Sequence, residues 1–61
     1  MKPKCKLIGT DGNVFALLSK VCKTLRQNDM GEQAKEVQDR VFNCGSYDEA
    51  LSIMMEYVEV Y

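Results

Sequence analysis

The groups able to do chemistry in this chain are three thiols, nine carboxylates and three tyrosines; histidine is absent. Cys5, Cys22 and Cys44 are far apart in sequence and include no Cys-x-x-Cys pair. A zinc site needs thiolates or imidazoles at short spacing, so no metal or other cofactor is expected. An odd number of cysteines also fits poorly with a disulfide framework, and free thiols acting as small hydrophobes are expected instead. Nucleophilic catalysis would need a base next to a Ser or Cys, and no such constellation is spaced recognisably. The carboxylates fall where helix surfaces and caps would use them. General acid–base work needs a pocket that shifts a pKa, and a domain this small has little room for one. An enzyme is therefore the least expected class, unless one thiol is an exposed, low-pKa thiolate.

One stretch could hold an anion. Leu7 and Ile8 are strand-compatible, and Gly9-Thr10-Asp11-Gly12-Asn13 is turn chemistry leading into a helix. A glycine-rich strand-to-helix turn presents free amides at the positive end of a helix dipole. Gly12 and Asn13 are thus the candidate anion or turn site. Neither Gly-x-Gly-x-x-Gly nor Gly-Lys-Ser/Thr is present, Asp11 repels an anion, and the calcium-loop spacing is missing. A structural turn with Asn13 as N-cap is the stronger expectation.

The elements that position these groups follow from periodicity. Lys4 to Leu7 alternates, with Cys5 and Leu7 on one side and the lysines on the other; Ile8 breaks the pattern. Val14, Leu17, Leu18, Val21, Cys22 and Leu25 mark one face of a helix ending near Gln27 or Asn28. Asn28-Asp29-Met30-Gly31 is a break. A second helix is predicted from about Glu32 to Asn43, with Ala34, Val37 and Val41 inward and Phe42 beside them. Cys44-Gly45 stops it, and Ser46 with Glu49 forms a capping box for a third helix over about Tyr47 to Val58. That helix carries Ala50, Leu51, Met54 and Val58 as one stripe and Ile53 and Tyr57 as another, with Met55 flanking. Either it lies centrally in a bundle, or Ile53, Met55 and Tyr57 face another protein molecule. The predicted core is Leu7, Phe15, Leu18, Val21, Leu25, Val37, Val41, Leu51, Met54 and Val58.

The fold class is α+β and mostly α: one short N-terminal strand followed by three helices, β-α-α-α, in a single domain over residues 1–61. A lone strand needs a partner. Two are available: Tyr57-Val58-Glu59-Val60-Tyr61, whose state as helix or strand stays open, or the same strand of a second chain. At 61 residues the chain buries only about 60% of its unfolded surface, so its stability margin is thin. No run is long enough to span a membrane and no apolar signal-peptide core stands near the N-terminus, so a cytoplasmic location is expected.

Charge is split. Residues 1–26 hold Lys2, Lys4, Lys6, Lys20, Lys23 and Arg26 against Asp11 alone, giving +5. The remainder holds Lys35 and Arg40 against eight carboxylates, giving −6, for a net −1. Lys4, Lys6, Lys20, Lys23 and Arg26 form a candidate basic patch for phosphate contacts. Tyr47, Tyr57 and Tyr61 sit in the acidic half, not interleaved with the lysines as single-strand binders prefer. The alternatives are steering of a protein partner or second copy, and a plain solvated surface.

Leu7-Ile8-Gly9-Thr10-Asp11-Gly12-Asn13-Val14-Phe15 resembles the opening of a group of very short bacterial, phage and mobile-element proteins. Their pattern is Leu-Ile-Gly-x-Asp-Gly-Asn-x-Phe, followed by a helix with a basic outer face. Gly45-Ser46-Tyr47-Asp48 and a helix ending in Tyr57-Val58 are also similar. The resemblance implies a compact prokaryotic domain and carries over no catalytic residue. Taken together, the residues point to a small interaction module binding a protein or itself, ahead of a nucleic-acid accessory protein.

Overall fold

The computed structural model describes residues 1–61. The order is β1 (Lys4–Cys5), α1 (Val14–Gln27), α2 (Gly31–Phe42), α3 (Tyr47–Met55) and β2 (Glu59–Val60). The C-terminal segment is the partner β1 needed: the strands pair in parallel, Lys4 opposite Glu59 and Cys5 opposite Val60. Glu59 N–H donates to the Pro3 carbonyl at 2.8 Å, and Tyr61 N–H to that of Cys5 at 3.1 Å. Leu7 and Ile8 N–H both donate to the Tyr61 carbonyl, at 2.8 and 2.9 Å.

α1 starts where its cap dictates. Asn13 is extended, and its side chain accepts from Phe15 N–H at 2.8 Å. The helix ends in a Schellman closure. Asp29 takes φ = 60°, Met30 N–H bonds the Leu25 carbonyl at 2.8 Å, and Asp29 N–H bonds that of Arg26 at 3.3 Å. That closure delivers the chain directly into α2, which begins at Gly31 with no side-chain cap. Ser46 caps α3 by accepting from Glu49 N–H at 3.1 Å, while the Glu49 carboxylate accepts from Gly45 N–H instead of closing back on Ser46. α3 is shorter than its apolar pattern implies, stopping at Met55. Tyr57 and Val58 are buried beyond it, turned inward so that the chain can pair with β1.

One core forms where the three helices meet the inner face of β1. Val21, Leu25, Val37, Met54 and Val58 are fully enclosed, with Cys5, Leu17, Cys22, Ala34, Ala50, Ile53 and Tyr57 around them. Two expectations need correction. Phe15 is not in the core: it is 62% exposed. One residue turns a helix by about 100°, so Phe15 lies at the flank of the stripe that Val14 opens, not at its centre. Leu51 is half-buried and packs against the core from outside.

Candidate functional site: an exposed apolar strip

The first turn of α1, the last turn of α2 and the first turn of α3 converge. Between them lies an apolar groove of about 320 Å³, its walls set by Phe15, Phe42, Cys44 and Tyr47. The Phe15 and Phe42 rings meet at a 6.1 Å centroid separation, tilted by 55°. A second groove of about 260 Å³ opens on the other side of Tyr47, between Ile8, Leu51 and Met55. Tyr47 lines both, so the two read as one strip.

This strip is not a thin scatter of apolar atoms. Ile8 is 69% exposed, Phe42 57%, Met55 55% and Tyr47 45%. Together with Phe15 these side chains present several hundred square ångströms of apolar surface by order of magnitude. Tyr47 is fixed within it, because its hydroxyl donates to the Gly12 carbonyl. This ties the start of α3 to the turn before α1.

The turn itself is engaged internally. The Asp11 carboxylate accepts from Asn13 N–H at 3.0 Å, Asn13 caps Phe15, and Gly12 gives its carbonyl to Tyr47. The left-handed residue is Gly9, at φ = 85°, not Gly12. Gly12 and Asn13 thus shape the strip by holding Phe15 and Tyr47 in place, and a carboxylate stands where an anion would approach.

Of the three residues expected on a partner-facing stripe of α3, only Met55 faces out. Ile53 and Tyr57 are buried within the chain itself. The two stripes of α3 serve two neighbours, because the helix packs against both α1 and α2. The Tyr57 hydroxyl sits in a polar cluster, donating to the Glu36 carboxylate and accepting from Arg40 at 3.1 Å. Arg40 also makes a two-pronged pair with Glu56, at 2.8 and 3.0 Å. Its guanidinium stays charged well beyond the ordinary range, chiefly through that pair. Arg40 in turn holds the Glu56 carboxyl below its usual range. Burial, then the Glu36 hydrogen bond, pushes the Tyr57 phenol up. Lys2 adds a cation at this end, donating to the Met55 carbonyl at 2.9 Å.

The five basic candidates do not converge. Lys4 and Lys6 lie on the strand face opposite buried Cys5 and Leu7, and Lys4 stands in register with Glu59. Lys20, Lys23 and Arg26 are three residues apart and fan across about a third of the circumference of α1. Arg26 closes that fan beside Asp29 and Glu32, in the groove between α1 and the start of α2. Lys20 and Lys23 remain as an exposed pair.

Among the thiols, Cys5 and Cys22 are buried and Cys44 is half-exposed in the first groove. Cys22 donates to the Ala34 carbonyl at 3.6 Å, and burial raises its thiol pKa against the lowering influence of Arg26. No group of three or more His, Cys, Asp or Glu side chains is gathered as a metal would need. No helix is long and apolar enough to cross a membrane.

Sequence reasoning missed Phe42 and Tyr47 as exposed groove walls and placed Phe15 inside. A signal was present. Phe15 follows Val14 and Phe42 follows Val41, so each aromatic is turned by about 100° from a residue of the inward stripe. Ile8 announced itself by breaking the strand alternation.

Fold and surface together define a class: a mostly helical α+β mini-domain whose termini pair as a two-stranded parallel sheet and whose helix ends frame an aromatic strip. No protein-family model matches the chain, and no curated protein or solved structure matches it either.

Proposed function

We propose that this protein is a cytoplasmic, non-enzymatic interaction module whose working surface is the strip from Phe42 through Phe15 and Tyr47 to Met55 and Ile8. The observation that carries the reading is the exposure of these five large apolar side chains along one continuous strip. Leaving them in water gives up roughly 25 cal/mol for every Å² that could be buried, a cost that a partner removes. Aromatic residues are also enriched at the energetic centres of interfaces. The free thiols suit a reducing compartment. The test is capture from host lysate with tagged wild type and a Phe42→Ser variant, with and without nuclease. A protein that survives nuclease and is lost with Phe42→Ser supports the reading. Equal capture by both forms would sink it.

A second reading is supported by one feature. The chain's single ion pair is Arg40–Glu56, so Lys4, Lys6, Lys20, Lys23 and Arg26 are all without a carboxylate partner. A nucleic-acid accessory role would use Lys20 and Lys23 first. Salt titration of DNA or RNA binding tests it, and an affinity unchanged by Lys20→Glu with Lys23→Glu would remove the site.

A further inference from the structure

No charged side chain lines the first groove, and the groups around it hold more carboxylates than cations. Glu49 reaches over to Gly45, a wall residue, accepting from its N–H at 3.4 Å. Asp39 accepts from the Asn43 side chain next to Phe42, and shares the depression beyond Phe42 with Lys35. Asp11 holds the Asn13 amide beside Val14. Asp48 follows Tyr47 in the first turn of α3 and is exposed. Against these four carboxylates stand Lys35 and Arg26, the latter in the adjoining depression behind Phe15 and Phe42; Arg40 is committed to Glu56.

An apolar groove with carboxylates in excess around it selects its occupant. We infer that the Phe15–Phe42–Tyr47 groove receives a basic amphipathic helix. Its apolar anchors sit at i and i+3 or i+4, and Lys or Arg flank them. The groove volume lies at the small end of the roughly 300–1,000 Å³ range of ligand sites, which suits a pair of adjacent anchors and not a whole small molecule. Anchors at that spacing are how a helix addresses a groove. A second copy docked groove to groove about a two-fold axis would bring the same carboxylates together on both sides, and like charges across an interface oppose it. The inference rests on the interaction-module reading and names the partner's chemistry.

The experiment uses three fluorescent synthetic peptides of about 14 residues, near the shortest length that holds helix in water. One carries leucine anchors on one face and lysines elsewhere. The second keeps the anchors and replaces lysine by glutamate. The third scrambles the basic peptide so that no apolar face forms. Fluorescence anisotropy against the full chain should show the basic amphipathic peptide bound about tenfold tighter than the acidic one, the size of two or three exposed ion pairs. The preference should fade in about 1 M salt, where the screening length is about 3 Å. Asp39→Lys with Asp48→Lys should reverse it, and Phe42→Ser should abolish binding while circular dichroism is unchanged; all three residues are exposed, so the fold survives. Equal binding of basic and acidic peptides overturns the inference, as does equal binding of the scrambled peptide. A dimer in sedimentation that Phe42→Ser dissolves also overturns it, in favour of a second copy. If a lysate partner is lost with Phe42→Ser while the basic peptide fails to bind, the module stands and the charge assignment falls. If neither depends on Phe42, both fall.

Discussion

Asp29 is the position where one side chain can be asked for a definite free energy. It closes α1 at φ = 60°, a region glycine occupies freely and other residues enter at a cost. The left-handed conformation costs an ordinary L-residue about 1–2 kcal/mol, less for Asp and Asn. Its carboxylate lies between the negative end of α1 and the positive start of α2, beside Arg26, so the two dipole contributions oppose each other. Glycine removes the strain but loses about 0.5–1 kcal/mol through its greater unfolded-state freedom. The net expectation for Asp29→Gly is stabilisation by about 0.5 kcal/mol. In a domain of this size that shift raises Tm by about 4 °C. Asp29→Asn keeps the tolerance for positive φ and removes a charge on which the two helix ends act oppositely, so its Tm should match that of wild type at either salt concentration. Asp29→Ala puts at positive φ a residue that enters this region less readily than Asp, and should lower Tm. The assay is thermal unfolding by circular dichroism at two salt concentrations, with a urea titration to check that m is constant. An order other than Gly highest, Asp and Asn together below it, and Ala lowest would refute the reasoning, and equal Tm for Gly and Ala would do so most directly.

Four further outcomes follow from the structure. Met54→Ala, at a fully enclosed site, should cost about 2–5 kcal/mol, most of the roughly 3–9 kcal/mol available to a chain this short; urea unfolding at low temperature reads it. Tyr47→Phe removes the hydroxyl tie to Gly12 but keeps the ring, and should cost about 1 kcal/mol by denaturant titration while leaving capture of a lysate partner intact. A thiol reagent should modify Cys44 quickly in the native protein and Cys5 and Cys22 only on unfolding; three fast thiols would mean that the core admits solvent. Acid and alkali should act at opposite ends of one cluster. The Glu56 carboxyl is depressed by Arg40, so its contribution is present above the unfolded value of 4.5 and disappears as pH falls through the lower folded value. The Tyr57 phenol is raised from 10.0, so its contribution is present below pH 10 and is lost as pH climbs through the higher folded value. Stability against pH for wild type and Arg40→Gln, which should flatten the acid limb, checks the first. Tyrosinate absorbance checks the second.

The sequence was legible where a local rule has one solution. The Asn13 cap, the inward stripe of α1, the break at Asn28–Gly31 and the Ser46 cap each rest on neighbours within four residues. The second strand was legible only as an option, because its pairing joins residues at opposite ends of the chain. The site was less readable. Whether an aromatic beside an inward stripe packs in or stays out depends on the angle between helices, and no residue of α1 encodes where α2 will lie. Phe15 was read as core for that reason. Ile53 and Tyr57 could be core or outer face alike, because the apolar pattern of the third helix suits a central helix as well as one with a partner-facing stripe, and burial chose the first. The basic residues, adjacent in a list, fanned apart once α1 had a circumference.

The pairing of Lys4 with Glu59 has a kinetic meaning. Every helix can form from nearby residues, but this ladder must gather nearly the whole chain into one ring before its first hydrogen bond exists. Closing that ring costs entropy that grows only slowly with its length, so it belongs late in folding, after the helices have shortened the gap. Its opening is equally indivisible. The Leu7 and Ile8 amides are guarded by a carbonyl at position 61, so their exchange with solvent deuterium reports the release of the far end of the chain. Slow exchange at Leu7 matching that of Val21 would make the sheet part of the global unfolding unit. Faster exchange at Leu7 would make it a latch that opens while the helices stay packed.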